Sequence, residues 1–149
     1  MRHPSGIPAH WQLFQPYIGD IAGSLGNADF GIIGHDGPDS DDFEYIVAVQ
    51  VERDASVPPE LTTTNVPALR RARFQHKGDI TSLRSTIAVA ADWLSDAGLE
   101  PSSEPYSYLE YYGPNFDPRT GLGDVEVWFG LKNCPAYFEL AQRASLRWN

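Results

Sequence analysis

Apolar residues recur at three-and-four spacing in two stretches: Trp11, Phe14, Ile18, Ile21, Ala22 and Leu25, then Ile80, Leu83, Ile87, Ala90, Ala91 and Leu94. Each set marks one face of an amphipathic helix, and the two superpose position for position, which indicates an internal duplication. Pro8 suits the opening turn of the first helix. Pro16 falls inside the pattern, where its missing N–H predicts a kink. The second helix is expected to open after Gly78, with Asp79, Thr81 or Ser82 as candidate caps, and to stop at Gly98.

Each helix is followed by two runs of strand character. Phe30 to His35 and Phe43 to Glu52 form the first pair, joined by an Asp/Gly/Pro/Ser turn, with Tyr45, Val47, Val49 and Val51 alternating onto one face. Tyr106 to Gly113 and Asp124 to Lys132 form the second, with Val125, Val127, Phe129 and Leu131 on one face. Leu69 to His76 predicts a further strand leading into the second helix. The second unit is then strand, helix, strand, strand; the first lacks its opening strand, because only a short Pro/Gly/His-rich segment precedes Trp11. Ser56 to Pro67 connects the halves. Pro135 to Trp148, within a C-terminal extension over 133–149, has the spacing of a short helix. The fold class expected is α+β.

A chain of 149 residues fits a single domain spanning 1–149. The lone Cys134 excludes an internal disulfide and a cysteine zinc site, which suits a reducing cytoplasm. No apolar run at the N-terminus resembles a signal peptide, and no stretch reaches membrane-spanning length. A net charge of −9 repels phosphate backbones and attracts cations, so direct DNA binding is not expected.

The candidate chemistry centres on Tyr106-Ser107-Tyr108-Leu109-Glu110-Tyr111-Tyr112, where alternation puts Tyr108, Glu110 and Tyr112 on one face. A glutamate on a strand is either solvent-facing, paired with a cation, or held in reserve for a cationic ligand. Phe30, Tyr45 and Trp11 are the aromatic residues available to line the matching half of such a site. Phe14, Phe74, Trp93 and Phe129 are assigned to the core. The acidic run Asp36, Asp39, Asp41, Asp42 and Glu44 lacks calcium-loop spacing and contains Pro38, so it reads as a solvated turn. His35 and His76 are isolated, and no metal set or cofactor is expected. Ser24 has no strand-to-helix elbow, and Gly26, Gly31 and Gly34 precede no helix start, which excludes a serine nucleophile and a phosphate loop.

Taken in order, Ile7-Pro8-Ala9-His10-Trp11-Gln12-Leu13-Phe14, Phe30-Gly31, Phe43-Glu44-Tyr45-Ile46-Val47, Val66-Pro67-Ala68, Phe74-Gln75-His76-Lys77-Gly78, Trp93-Leu94, Leu109-Glu110-Tyr111-Tyr112 and Gly123-Asp124-Val125-Glu126-Val127-Trp128-Phe129 resemble GyrI-like, AraC-type effector-binding domains. The resemblance runs from Ile7 to Lys132. It implies duplicated β-α-β-β units whose antiparallel sheet encloses a central ligand cavity, with two helices packed outside. It also implies that a buried glutamate on the penultimate strand, here Glu110, receives the charge of lipophilic cations, with Tyr112, Tyr108, Tyr45, Phe30 and Trp11 around it. Three departures stand out: the absent opening strand, Gly130 where relatives often carry proline, and the lack of an attached helix-turn-helix module.

The expected function is therefore binding of a lipophilic or cationic aromatic small molecule, for sequestration or for sensing on behalf of a separate regulator. Two alternatives come with the resemblance. One is a hydrolase of reactive cyclopropane-type compounds using Glu110 and Tyr112; the other is a protein-interaction module such as a gyrase inhibitor. The unpaired sheet edge leaves room for the C-terminal helix or for a homodimer.

Overall fold

The computed structural model describes residues 6–35 and 43–132. Its elements run α1 (Ile7–Phe14), β1 (Ser24–His35), β2 (Phe43–Val51), β3 (Arg71–His76), α2 (Leu83–Asp96), β4 (Tyr108–Tyr112) and β5 (Val125–Gly130). The expected C-terminal helix and the acidic turn between β1 and β2 lie outside the described residues, apart from Glu44 at the start of β2.

The helical pattern predicted from Trp11 to Leu25 is realised only as far as Phe14. A 3-10 turn over Gln15–Tyr17 takes up Pro16, Gly19 and Gly23 follow with φ of 81° and 82°, and Ser24 and Leu25 already belong to β1. Pro16 thus ends the helix instead of kinking it: its missing N–H interrupts the hydrogen-bond ladder, and two left-handed glycines prevent a restart. The second helix follows its pattern closely. Asp79 Oδ1 accepts the Thr81 N–H at 2.8 Å at the head of a 3-10 turn that leads into α2. At the far end Gly98 has φ 69°, and the Leu99 N–H donates to the Leu94 carbonyl at 2.9 Å, closing the last turn.

The five strands form one antiparallel sheet in the order β2-β1-β4-β5-β3. The fold is α+β, and β3-α2-β4-β5 is the complete strand-helix-strand-strand unit. In the first half α1 leads directly into the β1–β2 hairpin, and among the described residues no strand precedes α1. β1 and β4 pair at the centre, so the counterpart of β3 would sit beyond β2, which is the sheet edge.

The buried cluster is built by the second half: Ala72 and Phe74 from β3, Ala90 and Leu94 from α2, and Val125 and Val127 from β5. Full burial of a side chain such as Leu94 contributes about 1.5–3 kcal/mol. Of the residues assigned to the core, Phe74 is buried and Trp93 and Phe129 pack partly buried against the cluster. Phe14 does not join it; half-buried, it sits with Ile21 on the wall of a cavity described below.

Three hydrogen bonds, two at His76 and one at Gly130, fix the frame. His76 is 3% exposed; its Nε2 donates to the Asp79 carbonyl at 2.9 Å, and its Nδ1 lies in hydrogen-bond contact with the Thr86 hydroxyl at 2.7 Å. This histidine is a tie between β3 and α2. Gly130 donates its N–H to the Ser107 carbonyl at 2.8 Å, a bond that a proline there would forfeit.

Candidate ligand-binding site

Register and alternation assemble the site. Glu110 on β4 pairs with Gly31 of β1 and Val127 of β5, and Gly31 pairs in turn with Val47 of β2. Residues two apart share a face, so Tyr108, Glu110 and Tyr112 face the same way as Tyr45, Val125 and Val127. Core residues of α2, together with Trp11 of α1, pack on this face.

Glu110 is 9% exposed. Tyr45 Oη donates to its Oε2 at 2.7 Å, and Tyr112 Oη donates to the same oxygen at 2.8 Å. Trp11 Nε1 donates to Tyr45 Oη at 3.3 Å, and its ring meets Tyr112 edge-on at 4.9 Å. Among the described residues nothing hydrogen-bonds Oε1, and no Lys or Arg pairs with Glu110. Burial pushes the Glu110 carboxyl up, and the two phenol donors oppose that rise. Burial first, and the negative carboxylate second, also push the phenols of Tyr45, Tyr108 and Tyr112 far above their usual range, so all three keep their protons.

Of the residues singled out from sequence, Glu110, Tyr112, Tyr45 and Trp11 meet in one constellation. Tyr108 lies on the same face one pleat away; its ring packs against Phe129 at 5.0 Å, and its buried Oη has no hydrogen-bond partner among the described residues. Phe30 does not join them. It is adjacent to Gly31 and therefore points to the opposite face, where it meets Tyr111 and Trp128, each with ring centroids 5.7 Å away. Its expected place beside Glu110 is corrected by the pairing of Gly31, not Phe30, with that residue.

Gly31 is a position of the constellation that residue chemistry gave no reason to select. A Cβ there would stand 2.2 Å from Tyr45 Oη and 2.9 Å from Glu110 Oε2, so the missing side chain makes the space in which the phenol reaches the carboxylate. Only the register reveals this. Asp29, opposite Tyr112, is a second acid on this face, not singled out from sequence; partial burial raises its carboxyl. Among the described residues no group of three or more His, Cys, Asp or Glu could hold a metal ion, and no helix is long and apolar enough to cross a membrane.

A cavity of about 660 Å³ lies along the edge strand β2: Phe30, Ile32, Ile46, Ala48, Leu109 and Trp128 line it on the sheet face opposite Glu110, and Val47, Val49, Val51 and Phe14 of α1 line it around that edge. Glu110 is not among its lining residues. The carboxylate constellation and the cavity thus share no residue.

The chemistry of the Glu110 site is that of an acid largely kept from water, shielded by aromatic rings and satisfied, among the described residues, by hydroxyl dipoles. Comparison with known proteins accords with a ligand-binding role. The transcriptional regulator BrlR of Pseudomonas aeruginosa is 29% identical over 108 residues, covering 71% of this chain and 38% of that protein, so the chain spans well under half of this relative. Residues 2–131, which hold the helices, the sheet and the Glu110 constellation, match the family Cass2, integron-associated effector binding protein; the chain belongs to this GyrI-like effector-binding family.

Proposed function

We propose that the domain binds amphipathic organic cations, with Glu110 as the charge receptor and Trp11, Tyr45 and Tyr112 as its aromatic surround, and that it serves in sequestration or in sensing for a regulator. The observation that carries this reading is a carboxylate at 9% exposure with two phenol donors on one oxygen and no cationic partner among the described residues. A buried charge left without a counterion is costly, and a ligand cation is the group that relieves it. Family membership supports a small-molecule effector. The Trp11 ring covers the site from α1, none of whose residues is buried, so a ligand reaches Glu110 by displacing that ring.

The experiment is a titration of quaternary ammonium compounds and aromatic cationic dyes into wild type and Glu110→Gln, followed by tryptophan fluorescence. Wild type is expected to respond, and the variant to lose roughly tenfold or more in affinity, about 1.4 kcal/mol. Equal affinities would remove Glu110 from this role. Hydrolysis of a reactive electrophile would use the same Glu110 as base. Binding is preferred because the family model that the chain matches describes an effector binding protein.

A further inference from the structure

The cavity of about 660 Å³ is separate from the Glu110 constellation and is not explained by it. Register shows why it exists. Phe30 pairs with Ala48 and Ile32 with Ile46 across β1 and β2, while Ile32 pairs with Leu109 across β1 and β4, so these side chains form one apolar floor on the face turned away from α2. The segment from Val57 to Val66 supplies the opposing wall. The volume falls in the range of about 300–1,000 Å³ typical of small-molecule sites.

Its aromatic wall is held in place before any ligand arrives. Trp128 stacks on Tyr111 at 5.2 Å with 11° between the planes, carries the Arg73 guanidinium 4.4 Å from its centroid, and donates through Nε1 to Glu126 at 2.7 Å. Arg73 is itself bound to Glu126 at 2.8 Å. A wall fixed in this way loses little side-chain freedom on binding. The charged residues lining the cavity are Glu44 and Glu60, with no Lys, Arg or His among the lining residues. The apolar floor and aromatic wall suit a hydrophobic body, and the carboxylates of Glu44 and Glu60 favour a positive group on it and disfavour anions.

We propose that this cavity is a second ligand site, taking an amphipathic organic cation along the edge strand β2. It does not depend on the Glu110 reading, because no residue of the Trp11, Tyr45, Glu110 and Tyr112 constellation lines it. The domain then presents two cation sites of different character: a closed one built on a buried carboxylate, and an open one built on shape with carboxylates only at its edge.

The two faces carry different tryptophans, Trp11 on one and Trp128 on the other, and this permits a direct test. The full chain is labelled with fluorotryptophan, its resonances are assigned through Trp11→Phe and Trp128→Phe, and proflavine is titrated in. The Trp128 resonance is expected to shift in wild type and equally in Glu110→Gln. Ala48→Phe, which fills the floor, should weaken the Trp128 response at least tenfold while leaving that of Trp11. Glu44→Gln with Glu60→Gln keeps the walls and removes the rim charge; it should weaken the same response severalfold, and serves if Ala48→Phe does not fold. A silent Trp128 overturns the proposal, as does a Trp128 response that disappears with Glu110→Gln or is indifferent to both cavity variants. A silent Trp11 with a responding Trp128 refutes the Glu110 reading and upholds this one.

Discussion

An acid almost removed from water prefers its neutral form, and Glu110 is raised for that reason, with Tyr45 and Tyr112 holding the rise in check. The sign of the effect on stability follows. A carboxyl whose folded pKa lies above its unfolded value contributes stability that is fully present below the unfolded pKa and is lost as pH rises through the folded one. Glu110→Gln cannot ionise, so its melting temperature relative to wild type should climb as pH rises from the ordinary carboxylate range toward the raised value, then level off. Thermal melts of both proteins from about pH 4 to about pH 9 read this directly; a constant difference would mean that Glu110 does not change ionisation between the folded and unfolded states. Cation binding has the opposite preference and should strengthen with pH over the same window, because only the carboxylate attracts the ligand. The shared face of Tyr108, Glu110 and Tyr112 was legible from the chain because residues two apart on a strand point the same way. The closure of Trp11 over it was not, since 34 residues separate Trp11 from the Tyr45 hydroxyl it contacts.

At the level of elements, the site depends on how three strands are aligned. Gly31 stands opposite Val47 on one side and Glu110 on the other, and the vacancy above it admits the Tyr45 ring. Gly31→Ala would place a methyl against Tyr45 Oη and Glu110 Oε2, displacing the phenol that donates to the acid. The expected result is a loss of about 1–3 kcal/mol in stability, together with weaker cation binding, measured by denaturant unfolding and by the dye titration. Unaltered binding would show that Tyr45 can be displaced without consequence. The same one-residue alternation sends Phe30 to the far face, where it contributes to the cavity instead. The helices show the other side of element-level legibility. Periodicity marked α2 well, because Asp79 and Gly98 punctuate it, whereas the pattern after Phe14 is carried by a 3-10 turn and by β1. A Pro and two left-handed glycines outweigh a run of well-spaced apolar residues.

Across the whole molecule the duplication is unequal. The buried cluster draws on β3, α2, β4 and β5, while the first half contributes a short α1 without buried residues and a hairpin ending in the edge strand β2. Strands flanked on both sides and packed under a helix open rarely, and an edge strand with half-buried side chains opens more readily. Native-state hydrogen exchange should therefore be slowest in β4 and β5 and faster in β2, with ligand at Glu110 slowing exchange around Tyr45. Uniform protection over the sheet would contradict this division of stability. The arrangement places the Glu110 constellation between the half that carries the buried cluster and the half that carries the edge strand, so a ligand bound there is expected to slow exchange mainly in the latter.

The sequence by itself determined the α+β class, the second strand-helix-strand-strand unit and the aromatic setting of Glu110, because each is encoded by spacing within a short window. Tertiary structure decided which strands meet and in what register. From that came the role of Gly31, the removal of Phe30 from the carboxylate, and a cavity along the edge strand. Periodicity shows which side chains share a face of one strand, but which face of its neighbour they join depends on pairing between distant segments, and that pairing is fixed by how the whole chain buries its apolar surface.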